Sequence, residues 1–184
     1  MWLICGLSVV LYLGIYYAFG HDKDPFSLST FFGDCSKMVL IMTLLSSLFI
    51  SLAWKWKIFR GWLIPIPDIR GKWEGMLIST YTNPPMEIPT AVCIKQTFFH
   101  TIVKIQTGES SSVSKCASFD IDTDRGVKQL HYSYVNRPNA EVRHRSEIHY
   151  GTTLLEISDD NQSLTGEYWT SRKTTGSLHL HKCR

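Results

Sequence analysis

Three segments set aromatic rings, an amide and a guanidinium at alternate positions: Val92 to Gln96, Leu130 to Asn136 and Leu164 to Arg172. In an extended strand, alternate side chains share a face. One face then holds Leu130, Tyr132, Tyr134 and Asn136, another Leu164, Gly166, Tyr168, Thr170 and Arg172, and a third Val92, Ile94 and Gln96. Each row begins apolar and ends polar. If the first two rows lie on strands running the same way, Asn136 and Arg172 reach one mouth, above an apolar floor. Phenol rings stack on planar bases at ~1–3 kcal/mol per base, and an arginine fork grips phosphate oxygens. The competing reading is packing, in which the tyrosines fill a lumen and Arg172 is solvated or paired with Glu141 or Asp159. The residues alone leave both readings open.

Other chemistry is weaker. His179 and His181 alternate onto one outward face, with His131 and His149 as further histidines, but two strand histidines two apart read as exposed surface, so no metal is expected. Asp120, Asp122 and Asp124 precede a glycine without the closing glutamate of a calcium loop. The Ser110–Ser112 run lacks a GK[ST] loop. GxSxG, HExxH and GxGxxG are missing, as is a pair of carboxylates on one inward face, which argues against an enzyme.

The elements that must carry these residues are strands. Eight runs stand near Arg70–Tyr81, Ala91–Phe98, His100–Thr107, Ser111–Asp122, Val127–Asn136, Arg145–Ile157, Ser163–Ser171 and Thr175–Lys182. Turn residues connect them, among them Asn83-Pro84-Pro85, Asp124-Arg125-Gly126 and Asp159-Asp160-Asn161. Eight sequential short strands predict an antiparallel meander closed into a small lipocalin-like β-barrel, because closure removes exposed edges. A two-sheet sandwich is the structural alternative. In the first run Trp73, Gly75, Leu77 and Tyr81 share the inward face. The fourth and sixth runs do not alternate cleanly, which predicts a bulge in each and leaves their facing unassigned.

Ahead of the strands lie two uncharged runs, Trp2–Phe19 and Met38–Trp54. The second, at ~1.5 Å per helical residue, covers about 25 Å, and both read as transmembrane α-helices. Lys55, Lys57 and Arg60 interleave with Trp54, Trp56 and Trp62 as an interfacial cluster. The expected organisation is a two-helix hairpin over 1–62, a linker over 63–69 rich in proline, and a ligand-binding barrel over 70–184. The connector His21–Lys37 is acidic and the segment after the second helix basic, which places Met1 and the barrel in the cytoplasm and the connector outside. From Ile66 onward there are 14 Lys and Arg against 13 Asp and Glu, too even a balance for a DNA or RNA polymer partner. Five scattered cysteines without a CxxC pair suit a reducing compartment.

Pro67-Asp68-Ile69-Arg70-Gly71-Lys72-Trp73-Glu74-Gly75 behind a two-helix anchor, followed by Ile94-Lys95-Gln96, Leu130 to Pro138, and Leu164 to Arg172 through Gly176, resembles the two-transmembrane β-barrel effectors of bacterial CBASS anti-phage systems. The resemblance covers essentially the whole chain. It implies a receptor whose barrel binds a cyclic dinucleotide made by a CD-NTase. It further implies self-association into a homo-oligomer in the lipid bilayer, membrane disruption and abortive cell death. The pocket roles carry over to Gln96, Tyr132, Tyr134, Asn136, Tyr168, Thr170 and Arg172, with no cofactor beyond the activating nucleotide. The other class that fits is a membrane-tethered lipocalin-like carrier of a lipid or other apolar ligand.

Overall fold

The computed structural model describes residues 28–59 and 64–183, with 10, 13, 14, 17 and 18, and the chain divides into two compact units, Met1–Trp56 and Lys57–Arg184. Most of the first uncharged run therefore lies outside the described residues, as do Arg60 and Trp62 of the interfacial cluster.

In the first unit, helix α1 spans Leu28–Ser51 and a short 3-10 turn follows over Ala53–Lys55. The helix begins ten residues before Met38, so the connector expected up to Lys37 ends in helix and carries Asp34 and Lys37 with it. Only Met38–Ser51 of the second uncharged run is in α1, about 21 Å at the helical rise. Among the described residues no helix is long and apolar enough to cross a membrane. Thr43 Oγ1 donates to the Val39 carbonyl at 2.7 Å, which leaves its donor satisfied within the helix. Val39, Leu40, Leu44, Leu45 and Leu48 are each at least half exposed, and at 100° per residue they are spread around most of the helix.

The second unit is a closed antiparallel barrel of eight strands: β1 (Gly71–Ser79), β2 (Met86–Gln96), β3 (Thr101–Gln106), β4 (Ser110–Asp122), β5 (Val127–Pro138), β6 (His149–Ile157), β7 (Ser163–Thr170) and β8 (Thr175–Lys182). Each strand pairs with the next, and β1 closes on β8 with Trp73 opposite Lys182. The expected meander is therefore present, and the sandwich is not. Period-two alternation holds where one face is sealed: Leu130, Tyr132 and Tyr134 of β5 and Leu164 and Tyr168 of β7 are buried, as are Val92, Ile94 and Gln96 of β2. Closing so small a barrel forces backbones together. A methyl on inward Gly75 or Gly166 would overlap the neighbouring strand's backbone at His179 or Leu154, so these positions accept no side chain.

The structure corrects the expected bounds of β2 and β6 and bears out the bulge expected in the fourth strand. β2 begins at Met86 rather than Ala91, passing through Pro89; over Met86–Thr90 it pairs with β1 alone, where a residue without a donor is tolerated. The fourth strand does bulge, between Ser114 and Cys116. The sixth does not: it starts at His149, not Arg145, and then alternates without interruption, with His149, Gly151, Thr153, Leu155 and Ile157 all buried.

One end of the barrel is sealed where the chain enters it. Trp73 Nε1 donates to the Ile69 carbonyl at 3.0 Å. The Gln96 side chain holds the entering segment on both sides, donating to the Pro67 carbonyl at 3.0 Å and accepting from the Ile69 N–H at 3.3 Å. Ile69 and Trp73 are fully buried, so this end is a floor.

Candidate functional site: an open cup

The opposite end is open. There the β1–β2, β3–β4, β5–β6 and β7–β8 connections surround a cavity of about 440 Å³. Its wall includes Tyr134 and Asn136 of β5 and Tyr168 and Thr170 of β7, with Arg172 just beyond β7. Five of the seven residues singled out from sequence thus meet around one space of ligand size. Tyr132 lies below it, fully buried in the core, and Gln96 lies at the floor, its amide engaged with residues 67–69. Their inward orientation is as expected, but neither borders the cavity.

Arg172 is the cation of this mouth. Its Nη1 donates to Ser146 Oγ at 3.1 Å, its Nη2 lies 3.5 Å from His149 Nε2, and its guanidinium sits 5.2 Å from the centre of the Tyr81 ring. Its Nε is buried without a hydrogen-bond partner. Among the described residues it forms no ion pair, so neither Glu141 nor Asp159 neutralises it. A cation held by neutral donors, acceptors and a ring retains its capacity for an anion.

His149 is neutral in this arrangement. Its Nδ1–H donates to the Glu147 carbonyl at 2.8 Å, which leaves Nε2 as an acceptor facing Arg172. Burial and the Arg172 charge hold its pKa below the usual imidazole value, against the Glu147 carbonyl, which raises it. Burial likewise pushes the Tyr134 and Tyr168 phenols above their usual range, so both remain protonated donors at neutral pH. The Ser112 hydroxyl donates to Asn136 Oδ1 at 2.8 Å, which fixes the amide so that its NH2 group is left to donate elsewhere.

The tyrosines are positioned by glycines on the adjacent strands. Tyr134 faces Gly151 and Tyr168 faces Gly176 in the strand registers. A methyl at either glycine would overlap the opposing ring, so each ring lies against bare backbone. Residues 139–148 then form a strap at the rim. The Asn139 N–H donates to the Glu109 carbonyl at 2.8 Å, Arg145 pairs with the Glu109 carboxylate at 2.5 Å, and the Tyr81 hydroxyl donates to the Arg145 carbonyl at 2.8 Å.

Sequence reasoning missed His149, Ser146, Ser112 and Arg145. His149 was within reach: counting back by twos from Ile157 arrives at it. Ser146 and Arg145 were not, because the strap has no period to read.

A family model described as "Cap15, cyclic dinucleotide receptor domain" matches residues 64–182, the whole barrel with its entering segment. The chain belongs to the Cap15 family. A curated relative, CD-NTase-associated protein 15 of Staphylococcus schleiferi, is 35% identical over 149 residues, covering 81% of this chain and 79% of that protein. The match to the Cap15 family includes every strand and both ends of the cup. The recognition from sequence as a CBASS effector of this type therefore stands.

Proposed function

We propose that the cup binds a cyclic dinucleotide made by a CD-NTase, and that binding switches on a membrane-disrupting CBASS effector. The observation that carries this reading is Arg172: a cation with no carboxylate partner among the described residues, set at the mouth beside Tyr134, Tyr168 and Asn136. A phosphodiester supplies the missing anion, the phenol rings offer stacking surfaces, and the free Asn136 NH2 can donate to a base edge. Membership in a family whose domain is described as a cyclic dinucleotide receptor supports the same ligand class.

The output side of the proposal rests on the first unit. The runs 2–19 and 38–54 carry no charge, and α1 exposes apolar side chains that water does not cover favourably. We assign that surface to the bacterial inner membrane, with the barrel over 70–184 in the cytoplasm. Ligand-driven self-association then gathers helices bearing small and hydroxyl residues, Ser46, Ser47 and Ser51 among them, which allow close approach and interhelical hydrogen bonds.

The deciding experiment is a thermal-shift and calorimetric panel on residues 57–184 with cyclic dinucleotides, linear dinucleotides and fatty acids. Stabilisation by a cyclic dinucleotide, lost in Arg172→Ala, supports the receptor. Stabilisation by fatty acids instead would make the barrel a carrier. In cells, deletion of 1–62 should abolish killing while ligand binding persists, and killing by the truncated chain would refute the membrane mechanism.

A further inference from the structure

The turn between β2 and β3 departs from ordinary turn chemistry. Its two central residues are Phe98 and Phe99, where glycine, asparagine, aspartate or proline would usually stand. The turn is well fixed: the Thr97 N–H donates to the His100 carbonyl at 2.8 Å, and the His100 N–H donates to Thr97 Oγ1 at 3.0 Å. Phe98 and Phe99 pack edge to face at 4.9 Å, and Phe99 is 68% exposed. Phe99 therefore contributes little to the barrel's core. A residue that breaks a local rule without a gain in folding points to a role outside the fold.

Its surroundings indicate what it meets. On the outer wall beside the turn, Lys95 stands opposite Ile102, which is 47% exposed, and in the next row Lys72, Cys93 and Lys104 face one another across β1, β2 and β3. Lys72, Lys95 and Lys104 are exposed, and none forms an ion pair among the described residues. The other two turns at this closed end are acidic on balance, with Asp159 and Asp160 in one and, in the other, Asp124 beside an Asp122 that Arg125 pairs at 3.3 Å. One side of the floor end thus carries the exposed Phe99 ring flanked by three lysines, and the other side carries an excess of carboxylates.

We propose that the Phe98–Phe99 turn is a lipid-contacting element that inserts the Phe99 ring at the interface of a bilayer containing anionic headgroups, with Lys72, Lys95 and Lys104 against the phosphates. Aromatic rings favour the headgroup level, and clustered lysines are attracted to anionic leaflets within a Debye length. The acidic turns orient the attachment by repulsion, so contact falls on the β1–β3 side. The site is separate from the cup and independent of what the cup binds. It shares with the proposed function only the presence of a bilayer.

The test is amide hydrogen exchange of the full chain in nanodiscs of phosphatidylcholine, with and without phosphatidylglycerol, at differing numbers of copies per disc. Residues 97–104 should exchange several-fold more slowly in the anionic discs than in the neutral ones, while 122–126 and 158–162 are unchanged. Phe99→Ser should remove that protection and leave the response to a cyclic dinucleotide intact. A chain recovered in the discs with 97–104 unprotected overturns this inference alone. A chain that stays out of the discs overturns both this inference and the membrane anchor. Protection of 97–104 that rises with the number of copies per disc at fixed lipid composition would assign the turn to contact between copies and equally refute lipid insertion.

Discussion

Tyr134 of β5 lies against the bare backbone of Gly151 on β6, with its ring over the place where any β-carbon would stand. The ring forms part of the cup wall, so the glycine sets how far it projects into the cavity. Gly151→Ala leaves the barrel hydrogen bonds intact and displaces a side chain that has open space to move into. The expected result is a modest stability loss, at the low end of the ~1–3 kcal/mol typical of overpacking, together with a tenfold or greater loss of ligand affinity. Calorimetric titration beside urea denaturation separates the two. An affinity loss no larger than the stability loss would show that the ring position does not matter to the ligand.

Arg172 gives the opposite signature to a structural residue. It is half-buried, its Nε lacks a partner, and no carboxylate among the described residues pairs with it. Replacing it removes a cation that the empty barrel does not need. Arg172→Gln should lower ligand affinity by about 1.5–3 kcal/mol, the scale of a charge-assisted hydrogen bond, and leave unfolding stability unchanged or slightly raised. Arg172→Lys should recover part of the affinity, since it keeps charge without the fork. A variant that unfolds more easily would place Arg172 in the scaffold instead.

What could be read from sequence followed from where water is excluded. Trp73, Leu130, Tyr132, Leu164 and Tyr168 are sealed against one core, so period two marked their strands and their facing. The closed meander and the shared mouth of Asn136 and Arg172 follow from the same alternation. Alternation says which way a residue points but not how deep it lies, which is why it groups Gln96 and Tyr132 with the pocket residues. The extra residue at Ser114/Cys116 shifted the phase of β4 and hid Ser112. Appending the strap residues Arg145–Ile148 to β6 broke an otherwise clean pattern and hid His149.

His149 should make the binding of an anionic ligand depend on pH. Its folded pKa is lowered, chiefly by burial, so the unfolded chain binds more protons in the window between the folded value and about 6.5. Stability contributed by this group is therefore fully present above about pH 6.5 and falls as pH drops toward the folded value. An anion bound at Arg172 acts in the opposite direction, because it favours the imidazolium. Affinity for a cyclic dinucleotide should rise as pH falls from about 7 to 6, while the empty barrel becomes less stable over the same range. His149→Gln should flatten both slopes. Titrations at several pH values, in buffers of different ionisation enthalpy, would reveal the proton taken up; no uptake would mean that the ligand's charge lies away from this ring.

Gln96 tests whether floor and mouth are separable. Its amide holds the Pro67 carbonyl and the Ile69 N–H across the sealed end, on the far side of the core from Arg172. Gln96→Leu fills similar volume but leaves that buried carbonyl and N–H without partners, at ~1–3 kcal/mol for each unsatisfied group. Urea denaturation of residues 57–184 should show a lower midpoint by a corresponding amount, and amide exchange should quicken at 67–71. Because Gln96 does not border the cavity, the affinity of the folded fraction for a cyclic dinucleotide should stay within about twofold, a change worth under 0.5 kcal/mol. A large affinity loss at unchanged stability would place the amide in contact with the ligand, which requires the cup to open through to its floor.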